Sequence, residues 1–274
     1  MSNSQLWNKS FYVEYDDRDY WKKSSNKIHF HLSYEIYFLV ENEISYFINN
    51  RVYRVTPGTV LVIPPNTIHT TNSISDKTRK RYLINLPESY IKPLLDIQPN
   101  LLSDLSTLPI VFSGLKKIEI TDLFKKLLTE YNSNPPDEVM IKSLLGELLV
   151  TVSRAAKSQS NASVSARRSA QKMVRISNYI RDNLQNNLTL ELLSEIFFLN
   201  PSYISRTFKR ELNITFSEYL RTLRIKEACR LLKETKLSIT EIAHRTGFQS
   251  CTDFCRVFKS MIKLSPLQYR KATK

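Results

Sequence analysis

Arg206-Thr207-Phe208-Lys209, followed by Thr215-Phe216-Ser217-Glu218-Tyr219, comes back as Arg256-Val257-Phe258-Lys259, followed by Ser265-Pro266-Leu267-Gln268-Tyr269. Arg, Phe, Lys and Tyr recur at one offset, 50 residues. A short phrase repeated in this way is one local structure built twice. Each copy reads as a helix-turn-helix, and the pair as two recognition helices offered to one face of a DNA duplex. In the first copy Thr189 caps a helix from Leu190 to about Phe198. Asn200 caps the next, and Pro201 takes the first helical position, where a missing N–H costs nothing. Ile204, Phe208 and Leu212 form a core stripe at four-residue spacing, with Ser202, Arg206, Lys209 and Arg210 on the opposite arc. Asn213 is a left-handed stop. In the second copy Ser238-Ile239-Thr240-Glu241 is a capping box and Gly247 breaks the chain. Ser250 with Asp253 then opens a helix with Phe254, Phe258 and Ile262 inward and Thr252, Arg256 and Lys259 outward.

Between the copies, Thr215-Phe216-Ser217-Glu218 is a further capping box. It starts a helix from Phe216 to Glu234 whose apolar positions are Leu220, Leu223, Ala228, Leu231 and Leu232. At ~1.5 Å per residue this spacer is roughly 28 Å long. Successive major-groove faces on one side of B-DNA lie ~34 Å apart. One chain could therefore set both recognition helices into neighbouring groove segments.

Leu220 to Leu232 (LRTLRIKEACRLL), Ile239 to Ala243, Gly247-Phe248, Phe254 to Lys259 and Ser265 to Arg270 resemble the AraC/XylS family of bacterial transcription regulators. The likeness covers roughly 95 residues, with many positions agreeing in order and spacing, which a lone short motif does not offer. It implies a seven-helix DNA-binding domain with two helix-turn-helix motifs. The family usually has Gly where this chain has Asn213 and Lys263.

Charge agrees with a polyanion partner. Ser165 to Lys274 carries 21 Lys and Arg against 9 Asp and Glu, leaving +12 of the chain's +14 in that part. A merely solvated basic face, or a nonspecific nucleoid-type binder, is the bland alternative. Cys229, Cys251 and Cys255 are odd in number and fall on helical stretches, so they read as packing residues in a reducing cytoplasm rather than as a disulfide framework. No signal peptide is visible and no apolar run approaches the ~20 residues that span a bilayer, so no membrane partner is expected.

Met1 to Lys27 reads as an arm and a first strand. Ile28 to Val40 alternates, with His29, His31, Ser33, Glu35 and Tyr37 on one face and Phe30, Leu32, Tyr34, Ile36 and Phe38 on the other. Ile44–Ile48, Val52–Val55, Val60–Ile63 and Arg81–Leu86 follow as strands, with turns at Asn49-Asn50 and Pro57-Gly58. Short strands in this number suggest a small barrel. His29-Phe30-His31 with Glu35, then Gly58, Pro64, Asn66 and His69, resemble the cupin-type sensor domain found in front of many AraC-like DNA-binding domains. The glycines that usually frame the first motif are absent, with Asn42 at one such place. Gly114 to about Gln159 is helical in two amphipathic stripes, broken at Asn132 to Pro136. These helices pack on the barrel, form an antiparallel dimer interface, or do both at once, and the resemblance favours the dimer interface. Lys157 to Ala166 is small, polar and aperiodic, a flexible linker. Met173, Ile176, Ile180 and Leu184 mark the inward face of the helix after it.

The fold class expected is α+β in two domains: a cupin-like β-barrel with a helical hairpin, then an all-α double helix-turn-helix. The divisions are residues 1–113 for the effector-sensing barrel, 114–156 for the helical dimerisation segment, 157–168 for the linker and 169–274 for the DNA-binding part. Arg206 and Arg256 are expected to reach guanine edges or phosphates, helped by Ser202, Ser205, Gln249 and Thr252, while Lys209, Lys259 and Arg210 hold phosphate. His29, His31, Glu35, Tyr37 and His69 are expected to line an effector pocket, with Tyr34, Tyr46 and Phe47 available for stacking. HxHxxxE with a later His is also the metal-ligand spacing of cupin enzymes, so a cupin-type metalloenzyme fused to a DNA-binding module is the rival reading, and a filled barrel is a third. The chosen reading has no catalytic residue, no metal and no cofactor. It is an activator in the cytoplasm, controlled by a small effector such as a sugar. Its partners are double-stranded promoter DNA, a second copy of itself and RNA polymerase.

Overall fold

The computed structural model describes residues 11–17, 28–48, 51–73, 79–102, 109–159, 168–212 and 214–273. Asn213, the Asn49-Asn50 turn, residues 160–167 of the expected linker and the N-terminal arm apart from 11–17 lie outside them. Among the described residues the N-terminal half folds as eight strands: β1 (Tyr12–Asp16), β2 (Tyr34–Glu41), β3 (Ile44–Ile48), β4 (Arg51–Val55), β5 (Thr59–Ile63), β6 (His69–Ser73), β7 (Lys80–Leu86) and β8 (Ile110–Val111). They form a five-stranded sheet in the order β1-β7-β2-β5-β8 and a three-stranded sheet β4-β3-β6, with every pairing antiparallel.

Alternation along β2 decides the layers. Ile36 and Phe38 face outward into an apolar layer with the two long helices α2 (Gly114–Tyr131) and α3 (Glu138–Gln159), where the Phe38 and Phe124 rings stack at 4.8 Å. Tyr37 and Leu39 face inward with Tyr46, Ile48, Leu61 and Leu83. The helical hairpin breaks between Tyr131 and Glu138, a gap that contains the stretch Asn132 to Pro136, and its stripe Ile120, Leu123, Phe124 and Leu127 is buried. Of the two partner surfaces open to these helices, the sheet is one that this chain supplies.

Three features depart from the sequence reading. Ile28 to Val40 is not one strand: it bends at Leu32-Ser33, β2 begins only at Tyr34, and His29 makes an isolated bridge to His69. The bend follows a side chain, since His31 Nδ1 donates to the Ser33 carbonyl at 2.7 Å. The strand β6 has the polar sequence His-Thr-Thr-Asn-Ser, which gives no apolar alternation to read. Helix α1 (Glu88–Ile97) contains Pro93, a residue that argues against a helix interior.

The C-terminal half is helical: α4 (Arg168–Asp182), α5 (Leu190–Phe197), α6 (Pro201–Leu212), α7 (Phe216–Glu234), α8 (Ile239–Arg245), α9 (Cys251–Ile262) and α10 (Pro266–Ala272). Capping boxes at Thr215, Ser238 and Ser265 start α7, α8 and α10, and Thr189 and Ser250 accept from the first-turn amides of α5 and α9. Helix α7 is buried on several sides, by Tyr219, Leu220, Leu223, Ile225, Ala228, Cys229, Leu231 and Leu232. It is therefore an axis for both units and not a surface helix. Arg224 at its middle donates to the carbonyls of Leu184 and Asn186 at 3.1 and 2.9 Å. Lys263 ends α9 in the left-handed region at φ 66° with its N–H on the Lys259 carbonyl, so the conformation is kept although the residue is not Gly. Among the described residues no helix is long and apolar enough to cross a membrane.

The halves share one apolar core. Ile28, Phe30, Phe47 and Ile68 of the barrel join Met173, Ile176, Phe208, Leu212, Tyr219 and their neighbours in a single buried cluster. Phe47 meets Tyr219 edge to face at 6.1 Å. Strands β3 and β6 lie against α6, and β4 lies against α4.

Gly247 joins the second unit to the axis. Its φ is +83°, and a Cβ there would stand 2.3 Å from the Leu184 carbonyl oxygen. Gly247→Ala is expected to cost more than ~2 kcal/mol, from left-handed strain plus displaced backbone. Chemical denaturation of the full chain checks this, and a loss within experimental error would contradict it.

Candidate functional sites: a buried histidine cluster and two exposed helices

Inside the barrel, Glu35 on β2 and His69 on β6 come from different sheets, and His29 and His31 reach them from the extended run before β2. One potential ligand atom from each of these four residues lies within 4.8 Å of every other. His31, Glu35 and His69 are buried, at 9%, 7% and 1% exposure. The backbone sets the register: His29 and His69 exchange N–H···O bonds at 3.1 and 2.9 Å, and Asn66 donates to the His31 carbonyl at 2.7 Å. The rings of His29 and His69 are 4.2 Å apart between centroids, and those of His31 and His69 are 4.9 Å apart.

The hydrogen-bond roles are restrictive. His31 Nδ1 faces the Ser33 carbonyl at 2.7 Å and His69 Nδ1 faces the Thr67 carbonyl at 2.8 Å. A carbonyl only accepts, so both Nδ1 atoms carry hydrogen. His31 Nε2 points at Glu35 Oε2 at 3.3 Å, and His69 Nε2 stands 3.8 Å from the same oxygen with no hydrogen-bond partner. Glu35 Oε1 accepts from the Tyr46 hydroxyl at 2.9 Å. Burial alone would raise the Glu35 carboxyl, but contact with His31 and His69 outweighs it and holds the group well below the usual carboxylate range. Burial, then Glu35, pushes the Tyr46 hydroxyl up, so it stays a donor.

Tyr37 does not join the four. It is wholly buried, 5.2 Å from the Tyr46 ring between centroids, with the Arg81 guanidinium 5.4 Å from its own centroid. Arg81 in turn meets Glu14 at 3.2 Å and Asp16 at 3.7 Å. Tyr37 thus belongs to a neighbouring polar group whose arginine the sequence reading missed, because Arg81 stands at the start of a strand whose Tyr82, Leu83, Ile84 and Leu86 dominate its reading. Phe47 and Tyr34 are not pocket residues: Phe47 packs on Tyr219, and Tyr34 lies in the outer layer. Tyr46 does belong, as a hydrogen-bond donor to Glu35.

On the helical half, Ser202, Ser205, Arg206, Lys209 and Arg210 on α6 and Thr252, Arg256 and Lys259 on α9 are exposed, as is Gln249 just before α9. The Arg206 Nε donates to the Ser202 carbonyl at 3.3 Å, and Arg256 pairs with Asp253 at 2.5 Å. Both arginines are exposed, so leaving these partners for a phosphate or a base edge costs little. His244 is exposed on α8.

Because the fold depresses Glu35, its contribution to stability is complete above the ordinary carboxylate range and is lost as pH falls through the lower folded value. Glu35→Gln is expected to flatten the acid limb of the stability curve. Denaturant melts across pH check it, and an unaltered acid limb would count against the assignment.

The AraC-like ligand binding domain family matches residues 10–149, and a helix-turn-helix domain family matches residues 193–272. The chain is 31% identical over 144 residues to the uncharacterized HTH-type transcriptional regulator YijO of Escherichia coli, covering 53% of this chain and 50% of that one. It is 34% identical over 93 residues to the melibiose operon regulatory protein of Escherichia coli, covering 34% and 31%. The C-terminal domain of AraT, a response regulator from Geobacillus stearothermophilus, is 38% identical with a TM-score of 0.35, covering 36% of this chain and 82% of that one. The chain spans 50% and 31% of the length of these two curated relatives. With the family match covering about half of its residues, a sheet-rich half ahead of paired helix-turn-helix units, the chain belongs to the AraC/XylS family.

Proposed function

We propose that this chain is a sequence-specific DNA-binding transcription regulator, controlled through its barrel. The observation that carries the reading is the pair of exposed arcs, Arg206 with Lys209 on α6 and Arg256 with Lys259 on α9, set at either end of the buried axis α7. Arg206 and Arg256 read base edges, with Ser202, Ser205, Gln249 and Thr252 beside them, and Lys209, Arg210 and Lys259 hold phosphate. The family match and the concentration of positive charge in this half support DNA as the partner. The working division is barrel 1–113, helical segment 114–156, linker 157–168 and DNA-binding part 169–274. A homodimer through α2 and α3, a cytoplasmic location, no catalytic activity and activation through RNA polymerase complete the proposal. Exposed Leu115, Ile118, Val139 and Met140 on those helices support the dimer.

A sugar effector draws support from the likeness to the melibiose operon regulatory protein. A sugar ring would have to part the four ligand atoms, which lie within 4.8 Å of one another. The cluster suits a smaller occupant.

Arg206→Ala and Arg256→Ala should each cost about 1–3 kcal/mol of binding to the preferred site and relax base preference in one half of it. Lys209→Ala and Lys259→Ala should weaken all sequences alike and lower the salt slope by about 1. Binding titrations against a selected site and a scrambled duplex separate the two classes. Equal grip on both duplexes by the native chain would defeat the reading.

A further inference from the structure

We infer that Asp253 sets the specificity of the second recognition helix: its carboxylate holds the Arg256 guanidinium for a base edge and cancels its pull on phosphate, so the second unit discriminates between sequences more sharply than the first. This inference rests on the regulator reading above and names the residue that makes one half of it selective.

The first observation is local to α9. Asp253 stands three residues after the N-cap, Ser250. At that position in α7, α8 and α10, the side chains of Glu218, Glu241 and Gln268 turn back to the N-cap amide and close a capping box. In α9 the Ser250 hydroxyl accepts from the Thr252 and Asp253 amides at 3.1 and 3.4 Å, but no box closes. Asp253 Oδ1 accepts instead from Arg256 Nη2 at 2.5 Å, one turn further along the same face. Three neighbouring helices use this side chain to start themselves, whereas α9 turns it to the outward arginine.

The second observation is that the two units differ here. Tyr203 occupies the place 50 residues before Asp253. Arg206 Nε donates to the Ser202 carbonyl at 3.3 Å, and among the described residues no carboxylate meets its guanidinium. The duplicated arginines thus carry different charge environments, Arg206 with a neutral partner and Arg256 with an anion.

The consequence lies in charge and direction, because an ion pair with side chains 71% and 46% exposed adds little stability. A guanidinium held on a carboxylate presents almost no net charge to a phosphate. It still presents hydrogen-bond donors: Asp253 takes one of five N–H groups, and the others remain for the O6 and N7 acceptors of a guanine. The carboxylate also repels any phosphate that a misplaced duplex brings to α9, which weakens grip on the wrong sequence.

Asp253→Asn in the full chain tests this, because it keeps the size of the side chain and removes its charge. Titrations use a selected site, a set of single base-pair changes in it, and a scrambled duplex, each at several salt concentrations. The variant should bind the scrambled duplex several-fold tighter, with the salt slope steeper by about 1. Its preference at the base pair read by Arg256 should fall about tenfold, with other positions unaltered. The double variant Asp253→Asn with Arg256→Ala should match Arg256→Ala alone in discrimination. Glu195→Gln, the same charge change at an exposed position on α5, should leave discrimination as it was. Circular dichroism reports folding, and Asp253→Ser takes the place of the asparagine variant if that one loses helix. Native discrimination kept by the folded variant overturns the inference alone. So does equal weakening on every duplex, which marks a purely structural role, and so does the same loss of discrimination in Glu195→Gln, which marks a general charge effect. A native chain with no preference among the duplexes overturns the regulator reading and this inference with it.

Discussion

A common apolar core binds the two halves of the chain, and the positions of both functional regions follow from it. Phe47, Ile28, Phe30 and Ile68 leave the barrel to pack with Phe208 and Tyr219, so α6 is fixed against the strands that carry the histidine cluster. Close-packed interiors resist small displacements, so the surfaces they join cannot move independently. The second helix-turn-helix has its own tie: Gly247 and Arg224 both meet the Leu184 carbonyl region, which locks it to the axis α7.

The barrel interior is unusual for the amount of charge it holds. Glu35, Arg79 and Arg81 are all buried, along with three tyrosines at 6% exposure or less. Buried charge is retained only where partners compensate desolvation. Arg81 has Glu14 and Asp16, and Arg79 donates to Thr71 at 2.9 Å. Glu35 has Tyr46 on one oxygen and two imidazoles on the other. The polar interior is thus organised into two neighbouring groups, one centred on arginine and one on histidine, with Tyr37 and Tyr46 edge to face between them.

The sequence carried the helical half further than the barrel. Helix α7 spans the same residues that its capping box and apolar positions indicated, and the caps at Thr189, Ser238 and Ser250 hold as read. Those signals are local, since a cap is satisfied within three residues of itself. The barrel needed more. His69–Ser73 looks like a loop until β3 pairs with it, and α1 overrides its own proline. Of the candidate pocket residues, His29, His31, Glu35 and His69 meet, whereas Tyr37 turns to Arg81.

Repeated phrases, caps, stripe spacing and charge asymmetry determined on their own that this chain builds paired helix-turn-helix units behind a strand-rich half, because each depends on contacts between residues near in sequence. Which side of the barrel touches α6, which tyrosine serves Glu35 and which arginine claims Tyr37 were decided only when β2, β3, β6 and β7 met. Those contacts join residues tens of positions apart, and their geometry is set by sheet register and by the packing of one half on the other.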